Sequence, residues 1–155
     1  MVKEIKLSQG KVALVDNEDY EWLNQYKWFC SHKYACRRNK ITNLPMHREI
    51  MKTPKGMYTD HINHNTLDNR KENLRVCTCA ENNHNAVAKK HNTSGYKGVY
   101  WNKRDKKWYV QIRVSYKRIW LGYFDFIEDA ANSYANAAQK YYGKFAYVNH
   151  NKETN

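Results

Sequence analysis

No apolar run in the chain approaches the roughly 20 residues that a helix needs to cross a bilayer, so no membrane-spanning segment is expected. The N-terminus, Met1-Val2-Lys3-Glu4-Ile5-Lys6, is charged and has no apolar stretch behind it. It does not read as a signal peptide, and an intracellular rather than secreted protein is the expectation. The four cysteines, Cys30, Cys36, Cys77 and Cys79, form no C-x-x-C pair and are poorly spaced for a zinc knuckle. Reduced thiols are expected of them, and zinc is not the expected cofactor. No internal repeat and no low-complexity tract is visible. Acidic residues are outnumbered: 15 Asp and Glu stand against 27 Lys and Arg, a formal net charge of +12. That balance favours an anionic partner such as nucleic acid, although a solvated basic surface has the same composition.

The 155 residues suffice for one ordinary domain or two small ones. A 14% aromatic content argues against disorder and fits aromatic cores or faces where Tyr and Trp stack among cations. Residues 1–46 read as strand-rich. Ile5 and Leu7, then Val12, Leu14 and Val15, flank the turn signal Ser8-Gln9-Gly10 and predict a hairpin. Asp19 to Tyr26 predicts a short helix with Trp22, Leu23 and Tyr26 on one face. A second hairpin is expected through Trp28-Phe29-Cys30 and Lys33-Tyr34-Ala35-Cys36, ending in the basic Arg37-Arg38-Asn39-Lys40. That tip suits either a phosphate contact or an ordinary solvated turn.

From Asp60 to Asn85 the composition changes: Asn, His, Asp and Arg crowd together with few apolar residues to make them core. The segment holds Asp60-His61-Ile62-Asn63-His64-Asn65, then Asn73-Leu74-Arg75-Val76, then Glu81-Asn82-Asn83-His84-Asn85. These side chains can supply what phosphodiester hydrolysis needs. His titrates near neutrality and can deprotonate water. A divalent cation neutralises charge on the phosphate, and carboxylate and amide oxygens are the hard donors that suit Mg²⁺. A further polar residue must orient the base. Single Asn residues are more often caps and turns; the combination is what points to catalysis.

The segment resembles the HNH family of ββα-metal nucleases, in the branch found in phage and intron-encoded homing enzymes. The resemblance rests on the Asp60-His61 pair, on Asn73 twelve residues after His61, and on Asn82 nine residues after Asn73. Asn69-Arg70, Glu72 and Leu74-Arg75 also look like that family's second strand, and His47 resembles a recurring His of its upstream helix, read as structural. The resemblance implies Asp60 and Asn82 as metal ligands, His61 as general base and Asn73 as the residue orienting it. It implies Mg²⁺, with Mn²⁺ as the alternative, and products with 5′-phosphate and 3′-hydroxyl ends. The last ligand stays open among Asn82, Asn83, His84 and Asn85, and His64 and His84 are the next candidates for the base.

After the polar stretch Lys89-Lys90-His91-Asn92-Thr93-Ser94-Gly95, three strand patterns precede an alanine-rich helix. Period-2 reading puts Val110 and Ile112 on one face with Ile119 and Leu121, and Tyr109, Gln111, Arg113, Arg118 and Trp120 on the other. Asp125 and Glu128 suggest a capping box, Gly143 a stop, and Ala130, Ala131, Tyr134, Ala138 and Tyr141 a small-residue stripe against the sheet. The region resembles the plant ethylene-response-factor (APETALA-type) DNA-binding domain, through Ser94-Gly95-Tyr96-Lys97-Gly98-Val99 and Trp120-Leu121-Gly122-Tyr123-Phe124. The resemblance implies a sheet face that enters the major groove, with Lys97, Tyr100, Asn102, Gln111, Arg113, Arg118 and Trp120 at contact positions. Tyr100 and Gln111 stand where the plant domains carry Arg and Glu, so their target sequence does not transfer.

The expected fold is α+β. A strand-rich N-terminal region leads into a ββα-metal nuclease unit, and a three-stranded antiparallel sheet packed on one helix follows. The expected boundaries are 1–90 for the nuclease unit (ββα element about 57–88), 91–95 for a linker, 96–149 for the DNA-binding domain and 150–155 for a tail. The expected function is site-directed cleavage of double-stranded DNA, with no membrane or protein partner. The alternative is a non-catalytic DNA-binding regulator with a degenerate nuclease unit.

Overall fold

The computed structural model describes residues 1–89 and 91–147; the expected tail and the last residues of the expected C-terminal domain lie outside them. Among the described residues four helices mix with small antiparallel sheets, and the chain divides into two compact units, Met1–Asn82 and the residues from Asn83 onward. The expected boundary near residue 90 falls inside the second unit.

In the first unit β1 (Val2–Lys6) and β2 (Val12–Asp16) form the expected hairpin, with Ile5 opposite Ala13. Gln9 and Gly10 at positive φ turn the chain between them. Helix α1 (Asn17–Leu23) is shorter than expected: Tyr26 lies outside it and is exposed. The buried Trp28 indole N–H donates to the Leu23 carbonyl at 2.8 Å, satisfying one of the helix's terminal acceptors. Strands β3 (Phe29–Ser31) and β4 (Tyr34–Arg38) make the second hairpin through His32 and Lys33, both at positive φ as a tight two-residue turn requires. A third strand, β5 (Asn43–Pro45), joins the edge of β4, and helix α2 (Met46–Ile50) follows.

Ile5, Leu7, Ala13, Val15, Leu23, Trp28, Ala35, Met46 and Ile50 bury against one another, and Leu74 joins them. That last residue starts β7 (Leu74–Cys77), which pairs antiparallel with β6 (Tyr58–His61). Helix α3 (Cys79–Asn85) comes next. Its start is a capping box: the Thr78 hydroxyl accepts from the Glu81 N–H, and the Glu81 carboxylate accepts from the Thr78 N–H at 2.7 Å.

In the second unit β8 (Val99–Asn102), β9 (Lys107–Val114) and β10 (Lys117–Phe124) form a sheet in the order β10-β9-β8. Helix α4 (Ile127–Tyr142) packs Ala130, Tyr134, Ala137 and Ala138 on Val99, Val110 and Ile112. The face assignment from sequence holds. The capping box at Asp125 does not: Phe126 is the N-cap and makes no side-chain cap bond. Tyr141, expected in the stripe, is exposed, and Ala137 takes a place in the core. Gly143 ends the helix at positive φ, as expected. Part of the expected linker is built structure. Ser94 is buried, and its hydroxyl bonds to the Asn92 side chain and to the carbonyls of Tyr96 and Val99 at 2.7–3.0 Å.

Candidate active site and nucleic-acid face

The end of β6 carries Asp60 and His61, both buried. Asp60 faces Arg75 across the β6–β7 ladder, and the Arg75 Nε and Nη2 both donate to its Oδ2 at 2.7–2.8 Å. Removing one partner of such a buried pair strands a charge at a cost of about 3–5 kcal/mol. Asp60 is therefore a carboxylate held in place at a strand end, one residue from the imidazole.

His61 Nε2 lies 3.3 Å from Asn69 Oδ1. The Asn69 Nδ2 donates to the Leu67 carbonyl, which fixes Oδ1 as the atom turned to His61. Only a donor suits it, so Nε2 carries the hydrogen and Nδ1 the basic lone pair. Burial pushes the His61 imidazole below its ordinary value, against the opposing pull of Asn69, Asp60 and Asp68. A neutral imidazole at neutral pH is the form in which His accepts a proton.

Asn73 was expected to orient His61; the structure gives it a different task. Its Oδ1 accepts from the Asn63 N–H at 2.9 Å and its Nδ2 donates to the Asp68 carbonyl at 2.8 Å, so it clamps both limbs of the 62–72 loop. Asn69, fully buried within that loop, is a residue that does bond to His61. The loop is pinned elsewhere too. Leu14 N–H donates to Leu67 O and Asn69 N–H to Leu14 O, both at 2.8 Å, and the Thr66 hydroxyl reaches the Lys33 carbonyl. Asp68 accepts from Arg70 and Asn63, which hold its carboxyl below the usual range. Asn73 bears on His61 through this loop.

His47 on α2 meets His61 ring to ring, and Tyr34 on β4 stands 5.1 Å from the first and 5.9 Å from the second. Asn82 lies half-buried on α3, with its N–H on the Thr78 carbonyl. Asn83 is exposed, Asn85 is buried, and the His84 ring stacks on Tyr142 at 3.7 Å. His64 sits in the loop, exposed and at positive φ. Among the described residues no group of three or more His, Cys, Asp or Glu side chains is placed to hold a metal ion. The hard-oxygen donor beside His61 in the chain is the Asp60 carboxylate, a ligand type that suits a cation retaining several waters.

On the second unit, Tyr100, Gln111, Arg113, Arg118 and Trp120 lie on the sheet face away from α4. Arg113 and Arg118 stand directly opposite in register, both exposed, with no ion pair to either among the described residues. Like charges placed so repel unless an anion lies between them. A bulge between Trp120 and Gly122 shifts the register and brings Tyr123 onto this same face. Tyr100 stacks on Tyr109, and Tyr123 meets both Tyr109 and Trp120 edge to face, so an aromatic band crosses all three strands. The sequence pattern could not place Tyr123, because alternation fails at a bulge.

Two expected contact residues are otherwise engaged. The Lys97 ammonium donates to the carbonyls of Asn83, His84 and Ala86 at 2.7–2.9 Å, closing the end of α3 rather than meeting solvent on the sheet face. Burial draws it down to about 8, while three carbonyl acceptors at a helix end favour the charged form. Asn102 holds the β8–β9 turn, accepting from the Arg104 and Asp105 N–H groups and donating to Asp105 and the Tyr123 hydroxyl.

Comparison with known proteins matches residues 52–84 to the HNH endonuclease family and residues 94–144 to the AP2 domain. Protein 3.8 of Escherichia phage T7 is 36% identical over 93 residues, covering 60% of this chain and 76% of the phage protein. An uncharacterized HNH endonuclease of Acanthamoeba polyphaga mimivirus is 31% identical over 97 residues, covering 59% of this chain and half of its own length. No solved structure matches. No helix among the described residues is long and apolar enough to cross a membrane. The chain belongs to one family with phage T7 protein 3.8, and it joins an HNH endonuclease segment to an AP2 domain, a combination that indicates DNA binding.

Proposed function

We propose that the chain is a metal-dependent endonuclease that cuts double-stranded DNA, of the kind carried by phage and homing elements. The observation that carries this reading is His61: buried, neutral, tethered at Nε2 by Asn69 and one residue from a fixed carboxylate. In this role His61 takes the proton of the attacking water at Nδ1, at the position where a general base contributes about 10²–10⁴ in rate. Asp60 and Asn82 would hold a divalent cation, Mg²⁺ or Mn²⁺. When bound, the cation neutralises charge on the phosphate and on the leaving oxygen. Asn73 keeps the 62–72 loop closed on the base, and Asn69 sets its tautomer. The mimivirus relative's name points the same way.

The AP2 sheet serves as the reader, with Arg113, Arg118 and Trp120 toward the major groove and Tyr100 and Gln111 beside them. The ladder-opposed arginines give the face a place for phosphate or guanine. Supercoiled plasmid incubated with Mg²⁺ or Mn²⁺, with and without chelator, tests the reading. Nicked or linear product that disappears with chelator is expected. Intact plasmid at all metal concentrations, with DNA binding retained, favours the non-catalytic regulator instead.

A further inference from the structure

The nuclease unit carries a feature that the site above does not use. Beside the β3–β4 hairpin lies an open groove of about 460 Å³, lined by Tyr26, Lys27, Phe29, Arg37 and Arg38. Its walls hold two aromatic rings, three cations and no carboxylate. Arg37 is fixed: its Nε and Nη2 donate to both oxygens of Glu49 at 2.8–3.0 Å, and its guanidinium lies 4.2 Å from the centre of the Tyr26 ring. Lys27 and Arg38 are exposed and make no ion pair among the described residues. From Trp22 to Arg48 the chain contains six cationic residues and no acidic one, and the next residue, Glu49, is matched by Arg37.

We infer that this groove is a second DNA contact, one that holds the sugar-phosphate backbone of the duplex a few nucleotides from the bond to be cut. The inference rests on the nuclease reading for its position. Tyr34, whose ring stands against His47 and His61, shares a face of β4 with Arg38 four residues on. At about 3.3 Å per residue Arg38 lies roughly 13 Å along the strand from Tyr34, whose ring is 5.9 Å from that of His61. Successive phosphates on one strand of a duplex advance about 3.4 Å along its axis. A duplex with one phosphate at His61 therefore has others, some four steps away, within reach of Lys27 and Arg38. Arg37, with its charge already matched by Glu49, braces the Tyr26 ring as a wall while its two neighbours supply the uncompensated charge. An acidic peptide would suit the charge, but nothing in the active site would bring one there.

The test is the salt dependence of binding, measured by fluorescence anisotropy on a short duplex with the full chain in chelator, so that no cleavage occurs. Lys27→Ala/Arg38→Ala should flatten the slope of log K against log salt by about 1.8, two contacts at about 0.9 each. Lys6→Ala/Lys55→Ala, also two exposed cations but outside the groove, should leave the slope unchanged. Thermal melts confirm that the variants fold, and Lys27→Gln/Arg38→Gln serves if the alanine pair does not. An unchanged slope in the groove variant overturns the inference, and so does an equal flattening in the control pair. Because the measurement needs no cleavage, wild-type plasmid nicking with an unchanged slope sinks the groove and leaves the nuclease reading standing. A flattened slope without nicking does the reverse.

Discussion

The imidazoles of His47 and His61 meet edge to face, with ring centres 5.0 Å apart and planes at 72°. One comes from α2 and the other from the end of β6, so the contact ties that helix to the strand that carries His61. Burial is the main reason that both are held in the neutral form, and His61 and Arg48 further disfavour a charge on His47, which is pushed down to about 3. Its Nδ1 has no hydrogen-bond partner among the described residues.

That arrangement predicts an acid weakness. An unfolded histidine titrates near pH 6.5, whereas folded His47 resists protonation down to about 3. The unfolded chain therefore binds more protons as pH falls through that window, and stability present above about pH 6.5 is progressively lost. The loss from His47 alone is on the order of a few kcal/mol. Melting temperatures at pH 7 and pH 4.5 should fall much further for wild type than for His47→Phe, which keeps the packing without the titration. Equal drops in the two proteins would show that the contact carries no such linkage.

Asn73 and Asn69 should separate by phenotype. Asn73→Ala strands a backbone N–H and a backbone carbonyl in the loop, and each buried orphan costs about 1–3 kcal/mol. Asn69→Ala removes the hydrogen bond to His61 together with that to Leu67. Chemical denaturation should show the larger loss in Asn73→Ala. Among variants that remain folded at the assay temperature, Asn69→Ala should slow cleavage more than its stability loss explains. The reverse order in both measurements would restore Asn73 as the direct partner of the base.

These two residues mark where sequence reading stops. The spacing of Asp60, His61, Asn73 and Asn82 singled out the stretch that the HNH endonuclease family matches, because polar side chains on short strands and helices recur at fixed separations in a family. Which Asn touches which atom depends on the path of the 62–72 loop, set by Leu14 and Lys33 far away in the chain. The T-x-x-E pattern of the Thr78–Glu81 capping box went unread, whereas the capping box expected at Asp125 misled because the N-cap falls one residue later, at Phe126. Alternation gave the sheet faces correctly until the bulge, and Lys97 looked like a DNA contact because its carbonyl partners lie more than ten residues away.

Gly98 should tolerate no side chain. It sits at positive φ, and a Cβ there would lie 2.1 Å from the Tyr134 ring and 2.8 Å from the Gln111 carbonyl oxygen. The ring belongs to the core of the second unit and cannot swing away freely. Gly98→Ala should cost more than the roughly 1–3 kcal/mol typical of overpacking, since backbone strain adds to it. Loss of the cooperative melt of that unit, followed by near-ultraviolet circular dichroism, is expected. A melt within a degree or two of wild type would contradict the close packing of β8 on α4.

The exposed arginine pair predicts a separation of reading from cutting. Arg113→Ala/Arg118→Ala should bind duplex more weakly, with a salt slope flatter by about 1.8 if both meet phosphate. An arginine on guanine would instead cost about 1–3 kcal/mol and relax one base position. Raising the protein concentration should restore the cleavage rate. Unchanged affinity, slope and cut-site choice would show that the aromatic sheet face is not the reader.

The central claim is that His61 is the base of a metal-dependent cut. It is tested most directly by single-turnover cleavage of a bound duplex at saturating protein and Mg²⁺, comparing wild type with His61→Ala. Affinity for the same duplex is measured separately in chelator. Loss of at least about two orders of magnitude in rate, with affinity nearly unchanged, is the predicted result. Cleavage by His61→Ala near the wild-type rate, under conditions where chelator stops both, would contradict it and pass the role to His64 or His84.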